Sequence, residues 1–281
     1  MVKKTHVPAI RTPAGRKHTT TSRKAVAAGT ALVPVAAHAQ AIVALSGVDA
    51  AEPVIQRDGA ITLVVGQLYP MRGITIRASE VYYDADLRRD RPEGPALDEA
   101  DKIAWRDPAT GYECIMLRDR DAGFLSGYVG VPSDHPLFGF DHDALPDDLG
   151  VDVHGGLTYS RICDDGPSPD RRIIRESRRI CHVVVGHAPL VHGSDYRVQE
   201  HAWWFGFSCD HLYDALTGRG SRHDRRFLAA ETGPVYRDDA YVCTEVQNLA
   251  AQLRAIADGL PVPPRQGAPL PPRGLDPKEV N

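Results

Sequence analysis

Two stretches carry the side chains best suited to chemistry. In Trp203-Trp204-Phe205-Gly206-Phe207-Ser208-Cys209-Asp210-His211-Leu212-Tyr213-Asp214, strand-like residues from Ala202 to Phe207 run directly into Ser208, Cys209, Asp210 and His211. A strand that delivers a thiol, a carboxylate and an imidazole to its own end resembles a reactive or metal-binding edge. A helical turn over Leu212 to Leu216 would set Cys209 near its N-terminus, where unpaired amides favour a thiolate. The same turn would bring His211, three residues from Asp214, and Asp210, four residues away, to one side. The other stretch is Val151-Asp152-Val153-His154-Gly155-Gly156-Leu157-Thr158-Tyr159-Ser160. Read as a strand, its alternation sets Val151, Val153, Leu157 and Tyr159 against Asp152, His154, Thr158 and Ser160. The apolar set is expected to pack on a helix and the polar set to line a groove, with the glycines admitting a close neighbour beside His154.

Two chemistries compete for these residues. In the first, His154, His211 and Asp214 hold a divalent metal and leave a position for water, with Asp210 as a further ligand or as a base. In the second, Cys209 is a nucleophile and His154 its base; that His-before-Cys order resembles the permuted papain-like folds. The corresponding functions are a small metal-assisted hydrolase and a thiol-dependent hydrolase or transferase. A non-catalytic binding or host-interaction protein, recognising a small-molecule or protein ligand, is the third. The chain contains no H-E-x-x-H, C-x-x-C, P-loop or G-x-S-x-G motif to choose among them. Nine of its twelve histidines fall between His135 and His223, which favours the metal.

The elements that must position these groups are set by patterning over 281 residues, of which 42% are apolar and 25% charged, the balance of an ordinary globular chain. A formal charge of −4 gives no reason to expect nucleic acid as a partner. No apolar run approaches the roughly 18 residues of a membrane span. The five cysteines, Cys114, Cys163, Cys181, Cys209 and Cys243, form no evident disulfide framework, and Cys163 and Cys181 read as small buried apolar residues. That usage favours the cytoplasm. Against it, seven Lys or Arg and no acid precede Asp49, and Ala25 to Ala37 followed by Ala37-His38-Ala39 resembles an export signal over residues 1–39. A basic disordered extension is the other reading of that segment.

The expected fold is α+β: a mostly antiparallel sheet backed by one long C-terminal helix. Residues 1–59 form the basic or signal-like extension, 60–99 accessory strands and a charged linker, 100–258 the main domain, and 259–281 a Pro-rich flexible tail. Strands are expected at Ala60 to Val65, Ile74 to Tyr83, Tyr112 to Leu117, Phe124 to Val131, Val151 to Ser160, Ile180 to Val185 and Ala202 to Phe207, with a short helix over Leu97 to Trp105. Val242, Val246, Leu249, Leu253 and Ile256 mark the long helix, with Asp238 or Asp239 to cap it and Gly259 to end it.

A wider set of motifs joins these stretches. Gly127-Tyr128-Val129-Gly130-Val131-Pro132, His135-Pro136-Leu137-Phe138-Gly139, Val153-His154-Gly155-Gly156-Leu157-Thr158-Tyr159, Trp203-Trp204-Phe205-Gly206-Phe207 with Cys209 and His211, and Tyr236-Arg237-Asp238 with Tyr241-Val242 together resemble an uncharacterised family of small proteins encoded by bacteria and their phages. The resemblance covers roughly residues 105 to 256. The family pattern G-F-D-C-x-H-x-x-D maps onto Gly206, Phe207, Ser208, Cys209, His211 and Asp214, so Ser208 stands where the pattern has an acid. The resemblance implies domain boundaries and a cytoplasmic setting but no known activity.

Overall fold

The computed structural model describes residues 52–90, 94–163, 173–181, 202–217 and 234–270. The N-terminal signal-like segment, the expected strand beyond Cys181, and the chain after Leu270 lie outside them.

Eight strands form one sheet: β1 (Val54–Asp58), β2 (Ile61–Met71), β3 (Ile74–Asp84), β4 (Lys102–Arg106), β5 (Glu113–Arg118), β6 (Leu125–Val131), β7 (Tyr159–Ile162) and β8 (Trp203–Ser208). Every pairing is antiparallel. The first six strands follow one another as a meander, and β8 then inserts between β6 and β7. Three helices accompany them among the described residues: α1 (Ala85–Asp90), α2 (Ile173–Glu176) and α3 (Asp239–Ala257).

The main core lies between α3 and one face of the sheet. Val242, Val246, Leu249 and Leu253 are fully buried there against Ile103, Trp105, Cys114, Met116, Val129, Phe205 and Phe207. Period-two alternation puts Trp203, Phe205 and Phe207 on this face and Trp204 on the other. Asp238 caps α3 by accepting the Tyr241 amide at 2.9 Å. Gly259, at φ 64°, ends it: its amide donates to Ile256, and the Leu260 amide to Ala255. A left-handed residue is needed at that position, and glycine meets the need without strain.

Several expectations are corrected. The strands before residue 100 are not accessory: β2 and β3, eleven residues each, pair at ten positions, and β3 pairs in turn with β4 within the same sheet. The segment expected as a helix over Leu97 to Trp105 contains β4 instead. Its residues Lys102 to Trp105 are buried on both faces, so the run lacks the polar half that announces an amphipathic strand. Part of the charged linker folds as α1, whose Arg88 pairs with Asp101 at 2.7 Å. The tail is not free up to Leu270, because Gln266 exchanges hydrogen bonds with Asn248 of α3.

The second face of the sheet is covered by Ile173 to Cys181. Ile173 and Ile174 pack on Ile61, Leu63 and Tyr82, while Ile180 and Cys181 pack with Ala104, Ile115, Cys163 and Trp204. Under this strap Lys102 is wholly buried and donates to the Glu176 carbonyl. A disulfide joins Cys163, at the end of β7, to Cys181. These two cysteines are therefore a cross-link and not merely small apolar residues, whereas Cys114, Cys209 and Cys243 are free and buried.

Candidate metal centre

Antiparallel pairing of β7 with β8 brings the two reactive stretches together. Tyr159 pairs with Gly206, and the Thr158 amide donates to the Gly206 carbonyl at 2.9 Å. The loop entering β7, which carries His154, therefore lies beside the chain leaving β8, which carries Cys209, His211 and Asp214. A parallel bridge between Asp214 and Val235 then draws the approach to α3 alongside, bringing Arg237 and Tyr241.

The local conformations differ from those expected. Only Tyr159–Ile162 is strand, because Gly155 and Gly156 turn the chain at φ 64° and 85° and the Gly156 amide donates to Val153. Val153 and His154 are consequently both fully buried, so His154 does not line an open groove. Glycine is required at 155 for a second reason: a Cβ there would fall on the His211 ring at Cε1 and Nε2. The chain after Cys209 is not a helix start but a turn, closed by the Asp214 amide donating to His211 at 2.9 Å.

Asp214 is the hub. Its Oδ2 lies 2.9 Å from His154 Nε2 and 3.1 Å from His211 Nδ1, and accepts the His211 amide at 3.1 Å. Its Oδ1 accepts Arg237 Nε at 2.9 Å. Burial alone would raise this carboxyl, but the hydrogen bonds from His154 and His211, with Arg237 behind them, hold it well below the usual carboxylate range. His154 Nδ1 meets the Tyr241 hydroxyl at 2.9 Å, and its ring lies edge-on to His211, which stacks on Tyr213. Arg237 also lies over the Tyr241 ring, 4.9 Å from its centroid.

The structure thus unites three of the expected ligands. One donor atom each from His154, His211 and Asp214 lies within 4.8 Å of the others. The 2.9 and 3.1 Å separations come near the roughly 3.3 Å edge of a tetrahedron with metal–ligand bonds of about 2.0 Å. Tyr241 on the outer nitrogen of His154, and Arg237 on the outer oxygen of Asp214, are the supporting contacts that ligating groups need. Asp210 stays outside this group: half-buried, it accepts the Ser208 hydroxyl at 2.7 Å.

Cys209 lies against the cluster, but its thiol is 2% exposed, and burial, reinforced by Asp214, pushes it well above the usual thiol range. The thiol is accordingly protonated at neutral pH. Among the described residues no hydrogen bond links it to His154. A buried, protonated thiol lacks the activated state that nucleophilic catalysis requires.

Sequence reasoning did not assign roles to Arg237, Tyr241 or Glu245, whose carboxylate accepts the His154 amide at 3.1 Å. Tyr241 and Glu245 sit four apart on α3, one position before and one position before, respectively, the apolar residues Val242 and Val246, and that polar row beside the apolar stripe is the signal that would have found them.

No family profile, curated protein or solved structure matches this chain.

Proposed function

We propose that His154, His211 and Asp214 bind a divalent metal ion in a small hydrolase-like enzyme. The observation that carries this reading is the convergence of three ligand-type atoms from two remote stretches within 4.8 Å, buried and backed by Tyr241 and Arg237. Two imidazoles and a carboxylate suit a zinc-type ion and leave a fourth position for water. A divalent cation held there supplies Lewis acidity toward water or a substrate oxygen. The substrate is a small-molecule or protein ligand; nucleic acid is not expected at this net charge.

The same reading includes membership of the bacterial and phage-encoded family. Ser208 stands where that pattern has an acid, but its hydroxyl donates to Asp210, so a carboxylate two residues on takes up the neighbouring position. The thiol-dependent alternative is not favoured, because Cys209 is buried and protonated. Among the described residues, no helix is long and apolar enough to cross a membrane. Of the two proposed locations, the Cys163–Cys181 disulfide supports export over the cytoplasm.

Metal analysis of the purified full chain tests the reading. About one equivalent of a divalent ion is expected, falling on substitution of His154→Ala or Asp214→Asn; less than ~0.1 equivalent, with no uptake of added zinc or cobalt, overturns it.

A further inference from the structure

Glu245 connects the candidate centre to the end of the described chain. It lies one helical turn after Tyr241 on α3 and is 1% exposed. Its Oε2 accepts the His154 amide at 3.1 Å and Arg265 Nε at 2.8 Å, while Oε1 pairs with the second guanidinium arm of Arg265. Arg265 belongs to the Pro-rich segment that leaves α3 at Gly259 and doubles back along it. The side chain of Arg265 is 7% exposed, and the neighbouring main chain is held by Asn248, which donates to the Gln266 carbonyl at 2.7 Å and accepts the Gln266 amide at 3.0 Å.

A tether alone does not require such a pair. Burying a carboxylate and a guanidinium costs desolvation, and apolar side chains of similar volume would hold the segment as well. What the ion pair adds is orientation: Arg265, donating Nε to Oε2 with its guanidinium against Oε1, fixes the carboxylate whose Oε2 also receives the His154 amide. The same helix grips the His154 loop at two further points. Tyr241 holds the outer ring nitrogen, and Gln252 bonds both the amide and the carbonyl of Asp152 at 3.0 Å. The loop cannot take a strand's own ladder bonds because its glycines turn it, so these side chains supply its backbone partners.

We infer that Arg265 is a positioning residue for His154, acting through Glu245, and that residues 260–270 form a clip whose seating controls the metal affinity of the centre. This rests on the metal reading above. The test uses the full chain carrying Arg265→Gln, with Arg265→Lys as the conservative partner. Cobalt binding is followed by its visible spectrum, and backbone amide exchange of His154 is followed in the metal-free protein. Arg265→Gln is expected to weaken cobalt binding by about 10- to 100-fold, as loss of a supporting contact to a ligand does. Arg265→Lys is expected to restore most of the affinity. In the metal-free variant, amide exchange at His154 should accelerate while the β4–β5 ladder stays protected.

Retention of cobalt affinity within about twofold in a folded Arg265→Gln variant overturns the inference, since supporting contacts act at tenfold or more. If the wild type takes up no metal, the proposed function fails. The clip is then judged by exchange alone: faster exchange at His154 supports it, and unchanged exchange removes it. If Arg265→Gln does not fold, Arg265→Met, which keeps the stem without the guanidinium, decides: faster His154 exchange with weakened cobalt binding supports the clip, and wild-type exchange with wild-type affinity counts against it.

Discussion

His154 Nε2 stands 2.9 Å from Asp214 Oδ2 across 60 residues of chain, both side chains almost wholly withdrawn from solvent. This contact ties the loop before β7 to the turn after β8, and it shares its carboxylate with His211 and Arg237. Truncating His154 leaves a cavity, strips Asp214 of a donor and leaves Tyr241 without its imidazole partner. His154→Ala is expected to destabilise the metal-free protein by about 3 kcal/mol, as expected for breaking a buried polar pair. Urea unfolding in the presence of a chelator measures this, and a change below about 1 kcal/mol would show that the network does not bear on stability.

Gly155→Ala combines a left-handed backbone with a methyl group driven into the His211 ring. The expected cost is about 3 kcal/mol from conformational strain and overpacking together. Gly156→Ala meets nothing within 4 Å and carries the conformational cost alone. Comparing their thermal midpoints separates the two effects, and equal midpoints would contradict the close approach of His211.

The Cys163–Cys181 cross-link predicts a thiol count. Unfolded but unreduced protein should expose three reactive thiols, those of Cys114, Cys209 and Cys243, and reduction should release two more. In the native state near neutral pH all three free cysteines should resist alkylation, since burial raises each thiol well above its usual range. The loop closed by the disulfide spans 18 residues, for which chain entropy implies about 3 kcal/mol of stabilisation. Cys163→Ser should lose roughly that amount in denaturant titrations.

Glu99 provides a pH signature away from the candidate centre. Burial raises its carboxyl above the usual glutamate value of 4.5, although Arg118 and Tyr236 partly offset the effect. Between that value and the higher one in the folded state, the native protein keeps a proton that the unfolded chain has lost. Stability from this group therefore falls as pH rises through the window. Glu99→Gln should flatten the stability profile above pH 4.5, and denaturation midpoints measured in steps across that range test it. An identical slope in both proteins would mean that Glu99 ionises normally.

The sheet and the long helix were legible because their patterns are local. Val242 to Ile256 repeats at helical spacing, and the Asp238 cap and Gly259 stop occupy the expected places. The meeting of His154 with His211 and Asp214 could be posed from residue type, but their convergence depends on β8 entering between β6 and β7, which no local spacing encodes. The strand assigned to Val151–Ser160 failed where two positive-φ glycines outweighed alternation. The disulfide was hidden because its partners come from separate segments, and cysteine number alone says nothing of proximity. Arg265 was hidden in a proline-rich composition that reads as unstructured, yet two hydrogen bonds to Asn248 fix the backbone beside it.

The insertion of β8 has a consequence for biogenesis. β1 to β6 neighbour one another in chain order, so each strand can pair with the one made just before it, across the α1 connection in the case of β3 and β4. Among the described residues β7 has no such neighbour: its ladder is with β8, which is translated later, and β8 must close a long loop to reach β6. The imidazole loop therefore waits for β8 on one side and for α3, whose Tyr241, Glu245 and Gln252 hold it, on the other. His154, His211 and Asp214 can meet only after β8 has been made, and a ribosome-stalled chain ending before Trp203 should leave His154 without its Asp214 and Tyr241 partners.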